Sequence, residues 1–152
     1  MITGTSRSAS RLRMACDLGA DVVVNIDEQD PAEVANEISA GEGIPLVIDA
    51  AGNAAATRTA LDIVARLGQV TKLGWGPKPV DFSLDPILAK AVRFQGSFSH
   101  TWRTWEAVLQ MMRSGTLDPE ALVSHELTIA DWRTAYELVE SRQAVKVILA
   151  PQ

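Results

Sequence analysis

The strongest constraint on this 152-residue chain is the order of its elements: short β-branched runs alternate with longer stretches of helical spacing, at the intervals of βαβ units. Such alternation predicts an α/β fold built on a parallel sheet. Residues 1–3 read as the end of a strand, and residues 8–18 as a helix closed by Gly19, because glycine readily takes the left-handed conformation that ends a helix. A Val-rich strand follows over 21–26, then a helix over 31–40 with Pro31 in its first turn and Asp30 as its N-cap. The next strand, 46–50, runs into Ala51, Gly52 and Asn53, and residues 54–67 have the length and apolar spacing of a helix stopped by Gly68. A strand over 69–73 ends in Gly74-Trp75-Gly76-Pro77, where two glycines and a proline break regular structure and make a turn suited to ligand contact. A short helix at 86–91, a strand at 92–98 and a long helix at 101–114 bring the count to five strands. Beyond Asp118-Pro119 the pattern changes to a short helix, a strand at 125–128, a helix at 130–140 and a last strand at 145–149. No internal repeat or long linker divides the chain.

An apolar fraction of 47 % is enough for one packed core. The net charge of −5 offers no basic field to phosphate backbones, which makes nucleic acid and anionic membranes poor partners. No apolar run approaches the roughly 20 residues of a membrane span, and the first residues lack the apolar core of a secretory signal. The single cysteine, Cys16, can form no internal disulfide; a cytoplasmic location is expected, with Cys16 buried and inert in its helix. One Cys and two His, His100 and His125, are too few for a zinc site of the usual Cys/His/Glu composition or a four-cysteine site, so no metal is expected in this chain.

A doubly wound nucleotide-binding fold normally opens with a strand and a Gly-x-Gly-x-x-Gly turn, whose glycines let the backbone approach a pyrophosphate. No such motif occurs here; Gly41 and Gly43 follow a helix, lack the third glycine and read as a loop. Other stretches carry a broader pattern. Thr3-Gly4-Thr5-Ser6-Arg7-Ser8-Ala9-Ser10-Arg11-Leu12 is followed by Leu18-Gly19-Ala20-Asp21, Ile48-Asp49-Ala50-Ala51-Gly52, Gly68-Gln69-Val70, Leu73-Gly74, Gln95-Gly96-Ser97-Phe98, Val123-Ser124-His125 and Lys146-Val147-Ile148-Leu149. In order and spacing this resembles the medium-chain dehydrogenase/reductase family, most of all its zinc-type sorbitol, threonine and secondary-alcohol dehydrogenases, from that family's second strand onward. The resemblance implies a Rossmann-like doubly wound parallel sheet lacking the first strand and glycine-rich turn, with a C-terminal helix-strand tail. Residues 1–122 would be a partial dinucleotide-binding domain and 123–152 a segment returning to a catalytic domain absent from this sequence. It also implies hydride transfer between a nicotinamide cofactor and an alcohol, aldehyde or ketone, with zinc, if used, held by that other domain.

On this alignment Ser6 takes the place at which NAD-using members carry an aspartate. An acid there would bind a ribose 2′-hydroxyl and repel a 2′-phosphate; a serine leaves room and can donate a hydrogen bond. Arg7 and Arg11 can add charge-assisted bonds on the order of 1.5 to 3 kcal/mol each, so NADP is expected over NAD. Ligands of open α/β sheets lie at the carboxyl ends of the strands, which points to Ala51, Gly52 and Asn53, to Leu73, Gly74 and Trp75, and to Ser97, Phe98 and Ser99. At Gly52 and Gly74 a side chain would block the dinucleotide, although plain turn-making also accounts for them. Asp49 is expected to be a buried hydrogen-bonding acid. His100 and His125 are expected to cap or pack, and Trp102, Trp105 and Trp132 to lie in the core or an interface.

Edge pairing of the strand near residues 93–98 implies a homodimer in this family. The rival readings are a non-catalytic fragment or interaction module, part of a zinc-free quinone or enone reductase, and, more distantly, a methyltransferase or receiver-like fold. The last two would need a glycine-rich opening turn or an acidic cluster at strand ends, neither of which is found.

Overall fold

The computed structural model describes residues 3–76 and 78–151. Its contacts divide it into two compact units, one formed by the chain up to Asn25 together with the chain from His100 onward, the other by Ile26–Ser99. Among the described residues every strand pairing is parallel, as alternation required, in three hydrogen-bonded sheets.

The first unit begins with β1 (Thr3–Ser6), α1 (Ala9–Asp17) and β2 (Val22–Asn25), with β1 and β2 side by side. Of the expected opening strand, Met1 and Ile2 lie outside the described residues. Val24 and Leu12 are buried where helix meets strand, and Gly19, at φ +99°, ends the helix as anticipated. Cys16 is exposed rather than buried: α1 turns only Leu12 fully inward, and its last turn carries the thiol outward. From the other end of the chain come α5 (Trp102–Arg113), β6 (His125–Thr128), α6 (Trp132–Glu140) and β7 (Val147–Ala150), β6 and β7 forming a second parallel pair across α6. The short helix expected after Pro119 is a 3-10 turn, Glu120–Leu122. Trp102, Trp105 and Trp132 are exposed, so none is a core residue, because α5 buries no side chain and α6 buries only Ala135.

The second unit holds α2 (Pro31–Ile38), β3 (Ile44–Asp49), α3 (Ala54–Ile63), β4 (Val64–Lys72), α4 (Asp85–Ala89) and β5 (Arg93–Gly96), with sheet order β3-β4-β5. Asp30 caps α2, its carboxylate accepting from Ala32 N at 2.8 Å. Pro45 cannot donate to a ladder, and the β3–β4 register shifts beside it, between Ile44 and Leu46. The core joins Ala60, Leu61, Val64, Val70 and Val92, with Val47, Phe82 and Ile87 packed against it. Each large side chain there contributes about 1.5–3 kcal/mol by leaving water.

The helix expected over 54–67 stops four residues early, at Ile63. Val64 already has extended geometry, φ −65° and ψ 137°, and pairs with Ile44. The ammonium of Lys90 replaces the missing helical turn, donating to the carbonyls of Leu61, Asp62 and Val64 at 2.8, 2.7 and 3.1 Å. Gly43 lets the chain come close behind this junction, since a Cβ there would lie 2.8 Å from Ala65 Cα. Gly41 and Gly43, both with positive φ, are loop residues as expected. Among the described residues no helix is long and apolar enough to cross a membrane.

Candidate functional site

The carboxyl ends of β3, β4 and β5 lie side by side, with Asp49 opposite Lys72 and Lys72 opposite Gly96 in the ladder. Parallel pairing therefore brings together the three loops singled out in the sequence: Ala51-Gly52-Asn53, Leu73-Gly74-Trp75 and Ser97-Phe98-Ser99. Asp49 anchors them. Its Oδ1 accepts from the amides of Ala51 and Gly52 at 3.1 Å each, and its Oδ2 from Thr57 Oγ1 at 2.7 Å and Lys72 Nζ at 2.8 Å. Lys72 Nζ also donates to Thr57 Oγ1 at 3.1 Å. The main-chain carbonyl of Asp49 accepts from Leu73 N and Gly74 N at 2.9 Å, and that of Lys72 from Ser97 N at 3.0 Å.

Asp49 and Thr57 are buried, and the acid has the hydrogen-bonding role expected of it. Burial by itself would push the Asp49 carboxyl up. The hydrogen bonds from Lys72, Gly52 and Thr57, with the positive charge of Lys72, outweigh that and hold it below the ordinary aspartate range. It is a fixed carboxylate at neutral pH, satisfied on both oxygens and suited to holding structure rather than moving a proton.

Gly52, at φ +74°, and Gly74 face each other. A Cβ on Gly52 would lie 2.6 Å from the Gly74 carbonyl carbon, and one on Gly74 would lie 2.6 Å from Gly52 Cα. The space a side chain would need is thus taken by the neighbouring loop. Asn53 turns its side chain to the start of α3, capping it by accepting from Ala56 N at 3.0 Å. Trp75 and Phe98 project from their loops, 77 % and 80 % exposed, with ring centroids 5.2 Å apart.

Ser6, Arg7 and Arg11 belong to the other unit, at the carboxyl end of β1 and the first turns of α1. Ser6 Oγ accepts from Ser8 N at 3.1 Å, and both arginines are exposed. His100 packs edge-on against Trp105 with centroids 4.8 Å apart, while Thr101 supplies the cap of α5. His125 Nδ1 lies 3.0 Å from Ser124 Oγ, and that hydroxyl bonds to Lys146 O, so the neighbourhood is structural.

Comparison with known proteins matches residues 1–114 to the zinc-binding dehydrogenase family model. The chain belongs to the zinc-binding dehydrogenase family. It is 31 % identical to sorbitol dehydrogenase of Halalkalibacterium halodurans over 99 % of its own length and 44 % of that protein's. It is also 31 % identical, over the same shares, to L-threonine 3-dehydrogenase of Bacillus velezensis. Alcohol dehydrogenase TADH from Thermus sp. ATN1 superposes with a TM-score of 0.88 at 32 % identity, over 97 % of this chain and 43 % of that one. The chain thus spans under half the length of these relatives, matching the C-terminal, Rossmann-type half of the zinc-binding dehydrogenases. The metal in the family's name has no fitting ligand set here: among the described residues no group of three or more His, Cys, Asp or Glu could hold an ion.

Sequence reasoning found Asp49 but missed its partners Lys72 and Thr57. The available signal was Lys72 inside the strand read over 69–73, because a charge carried in a sheet strand needs a partner.

Proposed function

We propose that this zinc-binding dehydrogenase chain is the nucleotide-binding portion of an oxidoreductase that transfers a hydride between NADP(H) and an alcohol, aldehyde or ketone. Residues 1–122 would bind the dinucleotide and 123–152 would lead back to the substrate domain. The observation that carries the NADP reading is the end of β1. Ser6 closes the strand there without a carboxylate, and Arg7 and Arg11 follow around the start of α1. On this reading a phosphate at that place would be met by the Ser6 hydroxyl, the Arg7 and Arg11 guanidinium groups and the positive end of a helix dipole, whereas an aspartate would repel it. The donor set fits a ribose 2′-phosphate, and the nicotinamide, when bound, supplies the hydride chemistry. Within the 26–99 unit, the strand-end residues Ala51, Gly52, Asn53, Leu73, Gly74, Trp75, Ser97, Phe98 and Ser99 are proposed in their own right as dinucleotide contacts.

Calorimetric titration of the full chain with NADPH and with NADH tests this reading. Tighter binding of NADPH, weakened by Arg7→Ala and by Arg11→Ala, is expected. Equal affinity for both dinucleotides would reject the NADP assignment, and binding of neither would reject the nucleotide-binding role of the chain by itself.

A homodimer joined along residues 93–98 is the partner reading that β5 supports. This strand pairs on one side with β4, its four residues are exposed, and its other edge has no strand beside it among the described residues. Light scattering on the eluting chain should give twice the monomer mass; a monomer at tens of micromolar would remove the dimer. The exposed thiol of Cys16 suits a reducing cytoplasm.

A further inference from the structure

Two residues tie three strand ends together in the 26–99 unit. Asp49 holds its own loop through its carboxylate, on the amides of Ala51 and Gly52, and the next loop through its carbonyl, on those of Leu73 and Gly74. Lys72 extends the chain of bonds, its carbonyl accepting from Ser97 N while its ammonium grips Asp49 Oδ2 and Thr57 Oγ1. The side chain of Asp49 is 1 % exposed and that of Lys72 is 28 % exposed. Taking this pair out of water costs free energy that a well-packed apolar pair would not. What an ion pair supplies and an apolar contact does not is direction. With both carboxylate oxygens committed, the plane of the Asp49 carboxylate is fixed, and with it the amides it receives. Gly52 and Gly74 then face each other so closely that a Cβ on Gly52 would lie 2.6 Å from the Gly74 carbonyl carbon and one on Gly74 2.6 Å from Gly52 Cα.

We propose that Lys72 is a positioning residue: its ammonium, by holding the Asp49 carboxylate and the Thr57 hydroxyl, sets the spacing of loops 50–53 and 73–76 against which the dinucleotide binds. This rests on the nucleotide-binding reading above. Lys72 acts through Asp49 and Thr57, and its contribution is geometric.

The test uses the full chain with Lys72→Met, which keeps an unbranched apolar stem and removes the ammonium, and Lys72→Arg, which restores the charge. Amide hydrogen exchange at Gly52 and Gly74 reads the loops, exchange at Val70 reads the core, and calorimetry with NADPH reads the ligand. In Lys72→Met the two loop amides should exchange about tenfold faster while Val70 stays protected, and NADPH should bind about tenfold more weakly. Lys72→Arg should recover both. Thr57→Val, which spares the charge pair, should give the same pattern at smaller size, and it serves if Lys72→Met does not fold. Unchanged exchange at Gly52 and Gly74 would overturn the proposal. So would acceleration at Val70 equal to that of the loops, or unchanged NADPH affinity once the loops exchange faster. If the unaltered chain binds neither NADPH nor NADH, the nucleotide-binding reading fails separately, and the role of Lys72 in loop spacing is decided by exchange alone.

Discussion

Asp49 and Lys72 are register partners at the ends of neighbouring parallel strands, and the lysine ammonium lies 2.8 Å from the aspartate Oδ2. A side chain from α3, Thr57, closes the arrangement into a triangle of hydrogen bonds.

Removing the charge from Asp49 should cost stability even if the shape is kept. Asp49→Asn leaves the Lys72 ammonium without its counter-charge and turns an amide donor toward groups that themselves donate. A loss on the order of 2–3 kcal/mol is expected, since Lys72 retains some contact with water that softens the penalty. Urea unfolding measures it; a loss under about 0.5 kcal/mol would place the pair with ordinary surface ion pairs.

The same pair has a pH signature. Because the folded-state pKa of Asp49 is lowered, its contribution is present in full above the ordinary aspartate range and is lost as pH falls through the folded value. The stability difference between the unaltered chain and Asp49→Asn should therefore stay constant near neutral pH and shrink at pH below the ordinary aspartate range. A difference that instead grew on acidification would contradict the lowered pKa.

Two glycines with positive φ separate conformational strain from loss of space. Gly52→Ala combines φ +74° with a Cβ 2.6 Å from the Gly74 carbonyl carbon, whereas Gly19→Ala has φ +99° and no heavy atom within 4 Å. Gly19→Ala should cost about 1 kcal/mol and Gly52→Ala at least about 2 kcal/mol. Equal losses in thermal unfolding would mean that the two loops are not in backbone contact.

Lys90→Met should release the end of α3. Three carbonyls lose their shared donor while the apolar stem stays, a change expected to cost about 1–3 kcal/mol. Faster amide exchange around residues 61–67 should accompany the lower melting temperature; an unaltered melting temperature would show that water serves those carbonyls as well.

Ser6→Asp tests the cofactor reading from the opposite direction to an arginine deletion. A carboxylate at the end of β1 should weaken NADPH binding roughly tenfold to a hundredfold and favour NADH. Retained preference for NADPH in this variant would move the phosphate contact elsewhere.

The βα alternation, the cap at Asp30, the glycine stop at Gly19 and the strand at 125–128 were legible because each depends on neighbours within a few residues. The fold class, α/β with parallel pairing, follows from that alternation, and a buried Asp49 from its place at the end of an apolar strand.

Tertiary structure decided the rest. The end of α3 depends on Lys90, 29 residues from Leu61, and periodicity extends a helix wherever apolar spacing continues. The fit of Gly52 to Gly74 and the match of Asp49 to Lys72 arise only when parallel register sets two strands side by side. Exposure of Cys16 and of three tryptophans shows the same limit, since a helix's pattern names its apolar residues, and only the surfaces packed against it settle which are covered. The chain's own order thus determined its elements and class, through local backbone preference and the period of side chains. Contacts between residues far apart in sequence determined where those elements stop and what the strand ends present, because a hydrogen bond or a close approach needs coordinates from both partners.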